Sequence, residues 1–179
     1  CAECAGEGRV RTRATLNAQI PAGVDSGTRV QLVGRGEVGP GGGEAGDLYL
    51  EIIVKPHKTF HREADDLHSL INIPMTAAAL GTNFVFQTFN SEENITIKPG
   101  TQSGTVITLR GKGMPRLRRE GKGDLHLEVN VETPSGINDE QKSLLKKLAE
   151  LRKEDKLNIE PEKINDTGLF SKIRDVFSR

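Results

Sequence analysis

Apolar and polar residues alternate with a period near two through most of this chain. The stretches "RVQLV" (29–33), "DLYLEIIV" (47–54), "HREADDLHSLINIP" (61–74), "NFVFQTF" (83–89) and "ITIKP" (95–99) alternate or run apolar with β-branched residues, the pattern of half-buried strands. Turn chemistry separates them in "AGVDSG" (22–27), "PGTQSG" (99–104) and "NSEEN" (90–94). One short helix is predicted at "MTAAAL" (75–80), halted by Gly81. The period lengthens after residue 136. In "INDEQKSLLKKLAELRKED" Leu144, Leu148 and Leu151 fall at helical spacing beside Leu145, and Asn138 with Gln141 resembles a capping box. Beyond a polar linker containing Pro161, "GLFSKIRDVFSR" puts Leu169, Phe170, Ile173, Val176 and Phe177 on one helical face. So short a helix is unstable alone and is expected to dock.

The β pattern occurs twice. Ile20–Val54 recurs at Ile97–Val131 with a constant offset of 97 − 20 = 77, which pairs Gly23 with Gly100, Ser26 with Ser103, Gly34 with Gly111, and Gly46-Asp47-Leu48 with Gly123-Asp124-Leu125. Two copies are too few for a solenoid. The expected fold is therefore mainly β: two tandem homologous β-sandwich-like subdomains with short helices and a C-terminal helical segment. The expected divisions are 1–10, a remnant of a cysteine-rich arm; 11–58, a truncated first β subdomain; 59–136, the second; and 137–179, the helical segment. The positions that precede the repeated core of the second copy have counterparts mostly before residue 1, so the chain reads as a fragment. The cysteine-rich stretch leads directly into residues 13–17, the counterpart of the "NSEEN" turn at the offset of 77, which suggests an arm growing from a hairpin tip.

Composition narrows the classes. With 25 basic and 25 acidic residues, no global field attracts nucleic acid or acidic membranes. No apolar run approaches the roughly 18 residues of a membrane span, and no signal sequence opens the chain. Both cysteines lie in "CAECAGEG", C-x-x-C-x-G-x-G, which suits a metal or redox role in a reducing compartment, the cytoplasm. Cys1 and Cys4 supply half of the about four ligands of a structural zinc ion, and Gly6 and Gly8 let amides turn toward the sulfurs. A redox dithiol or unliganded thiols are the other readings. The glycines oppose the helix that a thioredoxin-like pair requires.

Other motifs carry less. "GRGEVG" (34–39) matches a dinucleotide fingerprint, but "PGGGEAGD" follows where a helix must begin. "RGKGMPRLRREGKG" (110–123) is basic without aromatic residues for base stacking. His57, His61, His68 and His126 show no metal-binding spacing and no adjacent nucleophile, so no catalytic constellation emerges and no enzyme is expected. In "TLNAQIP" (15–21), a predicted strand, Leu16, Ala18 and Ile20 share one face. They serve either to pack the core or to line a groove that takes an extended peptide.

Taken in order, C-x-x-C-x-G-x-G, "IPAGVDSGTRVQLVGRGE", "GDLYLEIIVKPHKTFHREADDLH", "RGKGMP" and "GDLHLEVNVETP" resemble the C-terminal half of the zinc-containing class of bacterial DnaJ co-chaperones, from residue 1 to about residue 150. The resemblance implies client-binding β subdomains that capture unfolded polypeptides, limit aggregation and deliver clients to a DnaK-type chaperone through a J domain this chain lacks. It makes Cys1 and Cys4 ligands of a zinc site shared with another cysteine repeat, so zinc belongs to the full-length protein. Leu16 and Phe60 resemble groove-lining residues, with Ala18 and Ile20 beside them. Leu169, Phe170, Ile173, Val176 and Phe177 fall in the dimerisation region, and a homodimer is expected, with no membrane and no specific nucleic acid as partner. A thiol-disulfide oxidoreductase and a zinc-ribbon nucleic-acid binder are the rival readings, and neither explains the paired β copies.

Overall fold

The computed structural model describes residues 4, 6, 8–154 and 156. The chain divides into two units, residues 1–134 and 135–179. The first unit opens with an irregular stretch, 9–21, followed by a hairpin of β1 (Arg29–Leu32) and β2 (Leu48–Glu51), with a 3-10 turn at Pro40–Gly42 in its long connection. There follow β3 (His61–Glu63), β4 (Asp66–Pro74), α1 (Met75–Leu80), β5 (Thr82–Gln87), β6 (Glu92–Ile97), β7 (Val106–Leu109) and β8 (Leu125–Glu132).

Strict alternation in β4 and β8 decides where the core lies. Leu67, Ser69, Ile71 and Ile73 of β4 and Leu125, Leu127 and Val129 of β8 are buried, while the residues that alternate with them turn to the other face. The two strands are parallel neighbours, in register from Leu67 opposite Leu125 to Pro74 opposite Glu132. Parallel neighbours require a long crossover, supplied here by α1, the β5–β6 hairpin and β7. With β3 antiparallel on β4 and β7 antiparallel on β8, the sheet order is β3-β4-β8-β7. The β5–β6 hairpin covers its apolar face: Ile95 and Ile97 join the core, Phe84 and Phe86 pack against it, and Ala78 of α1 and Phe60 close its ends. Each fully buried aliphatic side chain contributes about 1.5–3 kcal/mol.

The repeat holds at the level of single hydrogen bonds. Gly34 N–H donates to Asp47 Oδ1 at 2.9 Å, and Gly111 N–H donates to Asp124 Oδ1 at 2.8 Å. Val54 N–H donates to Ser26 Oγ at 2.9 Å and Val131 N–H to Ser103 Oγ at 3.1 Å. Every one of these pairs obeys the offset of 77. The bridges Val38–Ala45 and Pro115–Lys122 do the same. The copies differ in pairing: β8 is paired on both sides, whereas among the described residues its counterpart β2 is paired only by β1.

Two local expectations change. The run "HREADDLHSLINIP" is two strands, because Ala64 takes a positive φ of 53° and turns β3 back onto β4. The stretch "TLNAQIP" forms no strand among the described residues. Its counterpart β6 is held by β5, and a strand without a partner lacks the ladder that defines it. The helix α1 ends as expected, with Gly81 at φ 80° and its N–H bonded to Ala77.

In the second unit α2 (Asp139–Arg152) begins with the expected capping box: Gln141 N–H donates to Asn138 Oδ1 at 2.8 Å, and Asn138 N–H donates to Gln141 Oε1 at 3.0 Å. Leu144, Leu148 and Leu151 form an exposed stripe on it. Leu169, Phe170, Ile173, Val176 and Phe177 lie outside the described residues.

Candidate functional site

Two places carry chemistry. At the first, the backbone N–H groups of Gly6 and then Gly8 donate toward the Cys4 thiol and hold its pKa below that of an ordinary cysteine, against a smaller opposing effect of burial. Amides aimed at sulfur stabilise thiolate, the form that ligates a metal. Cys4 therefore fits a zinc ligand; Cys1 lies outside the described residues. Among the described residues no three His, Cys, Asp or Glu side chains already converge as a metal site.

The second place is a cleft of about 650 Å³ within residues 1–134, walled by Val54, Pro56, Phe60, Phe89 and Met114. Its aromatic corner is built locally. His57 Nδ1 accepts from the N–H groups of Thr59 and Phe60 at 3.2 and 3.3 Å, a tight turn that brings the His57 ring 5.2 Å from that of Phe60. Phe86 and Phe89 meet Phe60 edge-on at 6.3 and 6.4 Å between centroids. Phe60 is thus both a core residue and a wall of the cleft.

Leu16, Ala18 and Ile20 lie elsewhere, on the irregular segment 9–21. Leu16 is 36% and Ile20 55% exposed, Ala18 is half-buried, and none of the three lines the cleft that Phe60 lines. The structure brings the apolar trio to one stretch of surface and Phe60 to another.

Sequence reasoning missed what gathers around the cleft. All four histidines line it. Three of them occupy one register across three strands: His61 of β3 opposite His68 of β4, and His68 opposite His126 of β8. Only the pairing of distant strands reveals the row. Also missed was the seam between the two copies. Arg62 donates through its two terminal nitrogens to the carbonyls of Val24 at 2.7 Å and Gly23 at 3.0 Å.

The basic hairpin is partly neutralised. Lys112 pairs with Glu93, and Arg116 lies 3.8 Å from the Asp65 carboxylate. No helix among the described residues is long and apolar enough to cross a membrane.

Comparison with known proteins places these features in a family. The model of the DnaJ C terminal domain matches residues 5–134. "Chaperone protein DnaJ 2" of Streptomyces avermitilis is 54% identical over 96% of this chain and 45% of its own length. "Chaperone protein DnaJ 1" of Cutibacterium acnes is 48% identical over 99% of this chain and 48% of its own, and "Chaperone protein DnaJ 1" of Corynebacterium glutamicum 47% identical over 100% and 47%. The chain spans about half the length of the curated relatives it matches.

Proposed function

The chain belongs to the DnaJ family, and on that premise we propose that it is the client-binding and dimerisation region of a cytoplasmic co-chaperone that captures unfolded polypeptides, limits their aggregation and delivers them to a DnaK-type chaperone. The observation that carries this reading is the match of the C-terminal-domain model across both β copies. The divisions 1–10, 11–58, 59–136 and 137–179 then correspond to zinc arm, first client subdomain, second subdomain and dimerisation segment.

Client capture is transient burial of apolar side chains. Leu16 and Ile20 already stand half in solvent with Ala18 between them, and Phe60 anchors the aromatic corner. Each client Leu or Phe buried contributes about 1.5–3 kcal/mol before ordering costs. Binding is therefore weak and reversible, as hand-over requires. Dimerisation through Leu169, Phe170, Ile173, Val176 and Phe177 doubles the number of such surfaces on one particle, and effective concentration raises avidity for long clients. Cys1 and Cys4 hold half of a zinc site completed by another cysteine repeat. Bound zinc supplies a structural crosslink, while the Gly6 and Gly8 amides lower the Cys4 pKa and so favour the thiolate that ligates metal.

Fluorescence anisotropy with a labelled, extended Leu/Phe-rich peptide tests the assignment. Because Leu16 and Ile20 are exposed, Leu16→Ser and Ile20→Ser leave the fold intact. Loss of peptide binding in either variant supports the groove reading; binding unchanged in both places the client surface elsewhere.

A further inference from the structure

From the histidine row on the open face of the β3-β4-β8-β7 sheet, we propose a second metal site, unrelated to the cysteines, in which His68, His126, Glu63 and Asp66 bind one borderline divalent transition-metal ion of the zinc class.

Strand pairing supplies the geometry. His68 and His126 are Cα partners on adjacent parallel strands, and their rings stack with centroids 4.9 Å apart and planes 29° from parallel. Glu63 and Asp66 are Cα partners one row away on the same face. Each carboxylate faces one imidazole: Glu63 Oε2 lies 3.4 Å from His68 Nε2, and Asp66 Oδ2 lies 3.9 Å from His126 Nε2. Both gaps exceed the about 2.7–3.2 Å of a good N–H···O hydrogen bond. The Glu63–His68 gap matches the roughly 3.3 Å that separates nitrogen and oxygen bound at about 2.0–2.1 Å to one tetrahedral ion, and the Asp66–His126 gap must close by about half an ångström to reach it.

The outer partners are also in place. His126 Nδ1 lies 3.1 Å from Thr108 Oγ1, which leaves Nε2 as the ring's outward nitrogen. Asp66 Oδ1 accepts from Asp124 N–H at 2.7 Å, which fixes the carboxylate and leaves Oδ2 for an ion. Such outer contacts orient ligands in metal sites. Two carboxylates and two neutral imidazoles neutralise a divalent charge, and imidazole with carboxylate suits zinc, nickel and cobalt. His61, next in the row, extends the ligand supply. The four groups do not yet converge; the stacked rings must turn their Nε2 edges toward each other, so an ion assembles the site as it binds and ties β3, β4 and β8 together.

The test is a zinc titration of the tagless chain carrying Cys1→Ser and Cys4→Ser, followed by calorimetry and by the imidazole nitrogen resonances. One equivalent is expected to bind, shifting the resonances of His68 and His126 but not that of His57. His68→Gln with His126→Gln should weaken binding at least about 100-fold, beyond the about 10–100-fold that loss of an outer partner costs, and Glu63→Gln about tenfold. The same resonances in the chain with its histidines intact give a reading free of any folding defect in the variants. No binding by the cysteine-free chain, or binding that leaves His68 and His126 unshifted, overturns the proposal.

Discussion

A β-carbon added at Gly23 would lie 2.1 Å from the carbonyl oxygen of Pro115, so the turn of the first copy touches the basic hairpin of the second with nothing between them but backbone. Gly100, its counterpart at the offset of 77, has almost the same φ, 80° against 84°, and nothing within 4 Å. Gly100→Ala should therefore cost only the about 1–2 kcal/mol of a left-handed alanine. Gly23→Ala should cost more by the displacement of the Pro115 backbone. Thermal unfolding of the two variants measures the seam as a difference, and equal losses would show that the contact is not held in solution.

Ser69 turns its hydroxyl into the core of the second copy, where it is buried without a hydrogen-bond partner. Removing an unsatisfied polar atom relieves its desolvation cost. Ser69→Ala should leave stability unchanged or raise it by about 1 kcal/mol, whereas Leu127→Ala, at a fully buried position of β8, should lower it by about 2–5 kcal/mol. Denaturant midpoints with unchanged slopes decide both.

Two carboxylates give stability an acid limb. Lys112 and then the Ser91 hydroxyl hold the Glu93 carboxyl below its ordinary pKa, and Gly34 N–H and then Gln31 do the same for Asp47. A depressed folded pKa stabilises above the unfolded value, about 4.3 for Glu and 3.9 for Asp, and that stabilisation is lost as pH falls through the folded one. Between pH 7 and pH 2 the chain should lose stability mainly below about pH 4. Glu93→Gln and Asp47→Asn should each lower the neutral plateau and so flatten that limb, with little change at about pH 2; an unaltered acid limb in both would contradict the assignment.

Helix α2 depends on its first turn. Asn138→Ala removes the side-chain oxygen that accepts from Gln141 N–H and leaves only the backbone half of the capping box; it should cost about 0.5–2 kcal/mol of helix stability, read as lost ellipticity at 222 nm. Asn138→Asp, which keeps an acceptor at the cap, should restore it.

Much of this was legible before any coordinates. The repeat was visible because glycines, turn residues and the Gly-Asp-Leu triplets recur at one spacing, and each encodes a local backbone need that the sequence must satisfy in both copies. The helix α1, its Gly81 stop and the capping box of α2 are likewise local. Where sequence reasoning failed, the deciding partner was distant. "TLNAQIP" has strand alternation but no neighbour to pair with among the described residues, and "HREADDLHSLINIP" reads as one run because alanine rarely signals the positive φ that Ala64 adopts.

The sequence by itself determined the β class, the twofold repeat and the family, since all of these rest on local chemistry and spacing. Only the tertiary structure decided that β4 and β8 run parallel and in register, and with that alignment came the stacking of His68 on His126, the carboxylates beside them and the Arg62 clamp on Gly23. The reason is physical: strand register is set by burying the apolar faces of segments far apart in the chain, and side chains on the opposite face are carried into contact as its consequence.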